Sequence, residues 1–207
     1  MPRTAERGGP ETRRRIAGIA SGLFLQRGFD AVTVAEVAKA AGVSSVTVFN
    51  HFPRKEDLFL DRSGDAADLL RAAVRERPDG VDVLAALRTM TLGLVDEGHA
   101  LAGVDVRSAA FFRTVAESPA LVARSRELAD EVQQLLAAEL ARDPRFRGDA
   151  VLLAAFFVAG YATVLVDAAR RMIDGHVPDD LVGVQRQRFE ALFEALRQGV
   201  AAPTGTA

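Results

Sequence analysis

The sequence predicts an all-α fold of about nine helices, and three observations carry that expectation. Apolar residues recur at three- and four-residue intervals over long segments and almost never alternate, which is the helical rather than the strand period. Gly28, Gly42, Pro78, Pro119, Gly175 and Pro178 fall where these segments start or stop. The chain of 207 residues, 49% hydrophobic and 26% charged, has enough apolar material for one large or two small domains.

Taken in order, residues 1–10 form a basic, Gly/Pro-containing tail, expected to be disordered. Residues Glu11 to Arg27 carry Ile16, Ile19, Ala20, Leu23 and Phe24 on one face and stop at Gly28. Thr33 and Glu36 then spell a capping box, in which each side chain satisfies an amide of the first turn. That second helix ends at Ala41, with Gly42 suited to a left-handed cap. Ser44 can cap a third, short helix, although Val43, Val46, Thr47, Val48 and Phe49 are β-branched or aromatic types that favour strands. Further helices are expected over Asp57–Arg77, Val81–Asp96, Val104–Glu117, Pro119–Arg142 and Ala150–Asp174. A last one is expected from Pro178 and the two aspartates after it to Val200, and the tail 201–207 is expected to be disordered.

Composition excludes several function classes. The chain has no cysteine, so disulfides, thiolate catalysis and cysteine-ligated metals are out, and a reducing, cytoplasmic location is expected. No apolar segment of signal-peptide type follows the basic N-terminus. The uncharged run Ala150–Val166 reaches the lower limit for a bilayer span, but Gly160, Tyr161 and Thr163 interrupt it, so a buried helix and no membrane partner are expected. The three histidines, His51, His99 and His176, are scattered, and no His-Glu-x-x-His or phosphate-binding glycine loop occurs. An enzyme is therefore not expected, nor a cofactor or a metal site. Residues 1–60 hold nine Lys or Arg against six acids, and the remainder seventeen against twenty-two. A basic head on an acidic body suits a polyanion-binding module joined to a regulatory one.

The third helix resolves its own oddity when projected at about 100° per residue. Val48 and Phe52 fall on one side, while Val46, Thr47, Phe49 and Asn50 fall on the other. A core anchor and an outward face on a short second helix after a tight turn make a helix-turn-helix arrangement. Residues 11–59, with "LFLQRGFDAVTV" followed by "AEVAKAAGVSSVTVFNHFPRKEDL", resemble the N-terminal DNA-binding domain of TetR-family transcriptional regulators. The resemblance implies a three-helix DNA-binding domain over 11–56 and a larger helical ligand-binding and dimerisation domain over 57–200.

Carried over by position, the resemblance implies that Thr33 binds a phosphate at a helix N-terminus. Ser45, Val46, Thr47 and Asn50 would lie at base edges, with Asn able to pair bidentately with adenine. His51 and Lys55 would hold phosphates and position the helix. Ser44 reads equally as a cap alone, and His51 also reads as a packing residue. Two positions depart from the family's habit. Phe49 stands where Tyr is usual, leaving only ring contacts, and Arg54 stands where an oxygen cap is usual, adding a possible phosphate contact. Arg13 to Arg15 read either as a solvated helix start or as phosphate contacts.

The resemblance further implies a homodimer through helices 150–174 and 181–200, for which the stripe Ala155, Ala159 and Thr163 offers close approach. It also implies a pocket for a small, hydrophobic effector, with Met90, Phe111, Phe112, Phe156, Phe157, Tyr161 and Met172 as wall candidates and Arg107 or Arg113 as an anchor. The expected function is a ligand-responsive regulator, most often a repressor in this family, acting as a homodimer on a palindromic DNA operator. The alternative is a dimeric all-α small-molecule-binding protein without DNA binding.

Overall fold

The structure is a computed structural model that describes residues 9–61 and 63–200. Of the expected tails 1–10 and 201–207, residues 1–8 and 201–207 lie outside the described residues, while Gly9 caps α1 and Pro10 begins it. Among the described residues there are nine α-helices and no strand: α1 (Pro10–Arg27), α2 (Val34–Ala40), α3 (Ser45–His51), α4 (Ser63–Arg75), α5 (Val83–Asp96), α6 (Ala109–Glu117), α7 (Pro119–Arg142), α8 (Ala150–Ile173) and α9 (Leu181–Val200). Short 3-10 turns occupy Glu56–Leu58, Ala100–Ala102 and Val106–Ser108.

The chain divides into two compact units, and the first is not contiguous: it takes the described residues up to Asp61 together with Ala110–Ser125. A single cut at residue 56 was expected, so the boundary differs. Its cause is where the apolar residues go. Leu58, Phe59 and Leu121 are buried in one core with Ile16, Ala20, Phe24, Val37, Val48 and Phe52. Phe59 stands edge-on to Phe24 at 5.6 Å and lies 4.7 Å from Phe111. For the same reason the helix expected over Asp57–Arg77 is broken. A 3-10 turn directs Leu58 and Phe59 into the first core, and α4 starts only at Ser63, its Leu70 and Val74 joining the second core.

The segment expected as one helix over Val104–Glu117 is likewise interrupted. The Asp105 carboxylate accepts from the Arg107 amide at 2.9 Å and caps the Val106–Ser108 turn, and α6 begins after it.

In the second unit α5, α8 and α9 pack together, with α4 against α5. One core joins Leu70, Val74, Leu87, Leu136, Leu140, Phe157 and Phe193. A second joins Leu92, Val95, Ala102, Val164 and Phe189. Gly160 permits the closest approach of α8 to α9, since a Cβ there would meet a Leu192 methyl at 2.2 Å. Buried polar groups are cross-linked. Arg75 holds Glu139 bidentately at 2.7 Å for both bonds. Arg77 pairs with Asp143, and both side chains are buried.

Helix α8 is the one described helix long and apolar enough by composition to cross a membrane. Expected as a buried helix with one stripe for a partner copy, it buries one face within its own chain, including Leu153, Ala154, Phe157, Val158, Val164 and Met172. The opposite face, with Val151, Leu152, Phe156 and Val166, is exposed.

Candidate nucleic-acid interface

The site is built on three helix ends. Helix α2 opens on Thr33, whose hydroxyl accepts from the Glu36 amide at 3.2 Å. Glu36 reciprocates, accepting from the Thr33 amide at 2.8 Å and from the Thr33 hydroxyl at 2.9 Å. Arg27 adds an ion pair to Glu36 at 2.8 Å. The Thr33 amide bond first, then Arg27 and the Thr33 hydroxyl, bring the Glu36 carboxyl down to about 2. Both Thr33 donors expected to meet a phosphate thus already serve this carboxylate.

Helix α2 closes as its sequence requires. Ala41 is the cap, Gly42 has φ +64°, the Val43 amide donates to Ala38 and the Gly42 amide to Lys39. This pair of bonds is the Schellman ending, and the left-handed position favours glycine because no Cβ is present to clash. It also turns the chain tightly into α3.

Ser44 caps α3, its hydroxyl accepting from the Thr47 amide at 3.0 Å and lying 2.9 Å from the Thr47 hydroxyl. Of the seven residues of α3 only Val48 is buried, and Phe52, immediately after, is fully buried. The other face is open. Val46 is 68% exposed, Phe49 is 49% exposed and Asn50 is exposed, with Ser45, Thr47 and His51 half-buried. The projected division of this helix into an anchoring and an outward side is the one the structure has. An exposed Val, Phe and Asn on one small helix have no reason in packing, since burying them would remove apolar surface from water.

The basic residues are distributed differently from expectation. Lys55 does not stand out in solvent: its Nζ donates to the Phe29 carbonyl at 2.7 Å and lies 4.2 Å from the Phe29 ring centre. Arg15 donates to the Ala41 carbonyl at 2.6 Å. Arg13 donates to the His51 carbonyl and pairs with Asp61. Arg14, Lys39 and Arg54 are exposed. The bracing role of Arg13 and Arg15 was missed in the sequence. The signal for it was available: the last carbonyls of two short helices need donors.

Residues 19–61 match the family model of bacterial regulatory proteins, tetR family. This N-terminal segment is a TetR-family domain. Over 135 residues the chain is 33% identical to the HTH-type transcriptional regulator TcmR of Streptomyces glaucescens, a match spanning 61% of this chain and 59% of TcmR. The fold extends the likeness beyond the TetR-type segment. A SmeT–triclosan complex superposes with a TM-score of 0.59 at 18% identity, covering 95% of this chain and 97% of that one. Thermus thermophilus FadR, a TetR-family transcriptional repressor in complex with lauroyl-CoA, superposes with a TM-score of 0.52 at 24% identity, covering 94% and 98%.

The residues expected to line an effector pocket are spread over both units. Phe111 and Phe112 belong to the first unit, where Phe111 stacks on Phe59. Arg107 is exposed and bound to Asp105. Phe156 is 53% exposed. Phe157 and Met172 are core, and Met90 packs against the same core as Phe157. Tyr161 donates to the Leu101 carbonyl at 3.0 Å, and burial pushes its phenol above the ordinary value. Helical spacing marks which residues turn inward but not whether a void lies there. A groove of about 430 Å³ in the second unit is lined by Arg77, Val81, Val83, Leu84, Phe146 and Leu153, none of them among those expected. Among the described residues no cluster of His, Asp or Glu could hold a metal.

Proposed function

We infer that this protein is a sequence-specific DNA-binding transcriptional regulator of the cytoplasm. It acts as a homodimer on a palindromic operator and represses until a small apolar effector binds. The observation that carries the reading is the open face of α3, where Val46, Phe49 and Asn50 project from a helix anchored in the core by Val48 and Phe52. Asn50 suits an adenine edge, and Val46 and the Thr47 methyl suit thymine methyl groups. Ser44, Ser45 and His51 flank them. Exposed Arg14, Lys39 and Arg54 supply charge for the backbone, which positions without reading sequence.

Dimerisation is supported by the exposed face of α8. Leu152, Phe156, Ala159, Thr163 and Val166 lie along it at helical spacing, all exposed and none charged. The Thr163 hydroxyl donates to the Ala159 carbonyl at 2.8 Å, so it asks nothing of a partner. Exposed Ala191 and Ala195 on α9 add small residues. Two copies meeting through α8 and α9 bury this face in a four-helix contact. Two recognition helices would then address half-sites roughly 34–36 Å apart. A small hydrophobic effector is supported by the ligands named for the similar structures, triclosan and lauroyl-CoA with its apolar acyl chain. It would lower DNA affinity by stabilising a second arrangement of the dimer.

The test is selection of bound fragments from genomic DNA, followed by anisotropy titration of the selected site. Sequence-selective, salt-sensitive binding is expected, and Asn50→Ala should relax preference at one base pair of each half-site. Binding with no preference between the selected duplex and a scrambled one refutes the reading.

A further inference from the structure

Two cations of the N-terminal unit end on backbone carbonyls where short helices stop, Arg15 on Ala41 and Arg13 on His51, while Lys55 bonds the Phe29 carbonyl in the turn after α1. Helix ends leave carbonyls without partners and gather partial negative charge, so a guanidinium or ammonium is well matched to them. Arg13 does most. Its Nη1 donates to the last carbonyl of α3, its Nη2 pairs with Asp61, and its guanidinium carbon lies 4.2 Å over the ring of Phe52. Phe52 is the residue on which α3 ends, and its side chain is fully buried. The first turn of α1 thus grips the end of a helix 38 residues further along the chain.

That grip matters because α3 has only seven residues and one buried side chain of its own. Helices this short have little stability in isolation, so whatever holds their ends sets their direction. Ser44 holds the start of α3, and Arg13 holds the finish. A rotation or fraying of the last turn would move Phe49 and Asn50, which lie within it. We propose that Arg13 is a positioning residue for sequence reading: it fixes the C-terminal turn of α3, and with it the aim of Phe49 and Asn50, instead of neutralising a phosphate.

This rests on the DNA-binding reading, and it makes a distinct demand. A residue that holds a phosphate contributes equally to all sequences and to the salt slope. A residue that aims Asn50 contributes to the preferred sequence alone and leaves the slope as it was.

The experiment uses the full chain as wild type, Arg13→Ala, Arg13→Lys and Arg14→Ala. Amide exchange is measured without DNA. Affinity is measured over a salt series for the selected duplex and a scrambled one. In Arg13→Ala the amides of Val48 to Phe52 should exchange roughly ten-fold faster, with α5 unchanged. Its affinity for the selected duplex should fall about ten-fold while scrambled binding and salt slope hold. Arg13→Lys, which can still donate to the His51 carbonyl, should recover part of the preference. Arg14→Ala should lose about 0.9 of slope if that exposed residue meets a phosphate. Equal loss of affinity for both duplexes in Arg13→Ala, with or without a lower slope, or unchanged exchange in α3, overturns the proposal. A wild type that binds neither duplex sinks the DNA-binding reading instead, and the exchange arm still decides whether Arg13 holds α3.

Discussion

Replacing Lys55 by alanine removes an ammonium that bonds the Phe29 carbonyl at 2.7 Å and lies 4.2 Å from the Phe29 ring centre and 5.8 Å from that of Phe24. A hydrogen bond from a charged donor contributes about 1.5–3 kcal/mol net. A cation over an aromatic face adds about 0.5–1 kcal/mol at a partly exposed site. These overlap, so the loss expected is about 2–3 kcal/mol, placed in the N-terminal unit. Lys55→Met keeps an aliphatic stem over the rings and should lose less. Urea denaturation followed by circular dichroism measures the change in this all-helical chain. Amide exchange assigns it to a unit, since two units need not unfold in one transition. If Lys55→Ala stays within about 0.5 kcal/mol of wild type while its DNA salt slope falls by about 0.9, Lys55 holds a phosphate and not the turn, and the bracing argument is wrong.

Phe156→Glu puts a charge in the middle of the exposed apolar face of α8 and should convert the proposed dimer to monomer at micromolar concentration by light scattering, with the helical circular dichroism signal kept. Thr91 is fully buried and its hydroxyl has no hydrogen-bond partner among the described residues, so Thr91→Val, which keeps the shape, should stabilise the chain by about 1 kcal/mol in denaturant melts. Burial opposes ionisation of Asp143, but bonds from Arg77 and Arg145 outweigh it and bring the carboxyl down to about 2; Glu139 is lowered by Arg75 in the same sense. A folded-state value below the unfolded one means stability that is present above about pH 4 and lost as pH falls towards 2. Helicity measured by circular dichroism from pH 5 to pH 2 should fall there, and Asp143→Asn should flatten the fall.

The fold was legible where local chemistry and tertiary packing agree. The capping box at Thr33, the left-handed Gly42 and the Pro119 start each depend on a few adjacent residues, and each is present as expected. The expectation failed where one periodic run serves two cores. The helix expected over Asp57–Arg77 treats Leu58, Phe59, Leu70 and Val74 as one run, but the first pair is buried with Phe24 and the second with Leu87. Spacing says that a residue turns inward. It does not say into which core, and the polar stretch Asp61 to Asp65, with Gly64 inside it, was the signal for the break before Ser63.

The outward face of α3 was legible because the helix is short, whereas residues at core spacing in long helices do not reveal a void. A seven-residue helix with two anchors has only one way to present its remaining side chains, so projection of α3 sorts them correctly. A cavity depends on what long helices fail to fill, and aromatic residues at core spacing, such as Phe157, pack whether or not a void lies beside them. The cations show a third case. The basic balance of residues 1–60 suggests a surface for a polyanion, yet Arg13, Arg15 and Lys55 direct donors at carbonyls of their own unit. Their charge still raises the local potential, but only Arg13 bonds the end of α3, while Arg15 bonds the end of α2 and Lys55 the turn after α1. On the proposed DNA-binding reading, affinity for a polyanion and accuracy of reading would be carried by different members of the same basic set. Substitution of an exposed cation such as Arg14 should separate from substitution of a braced one in both salt slope and sequence preference.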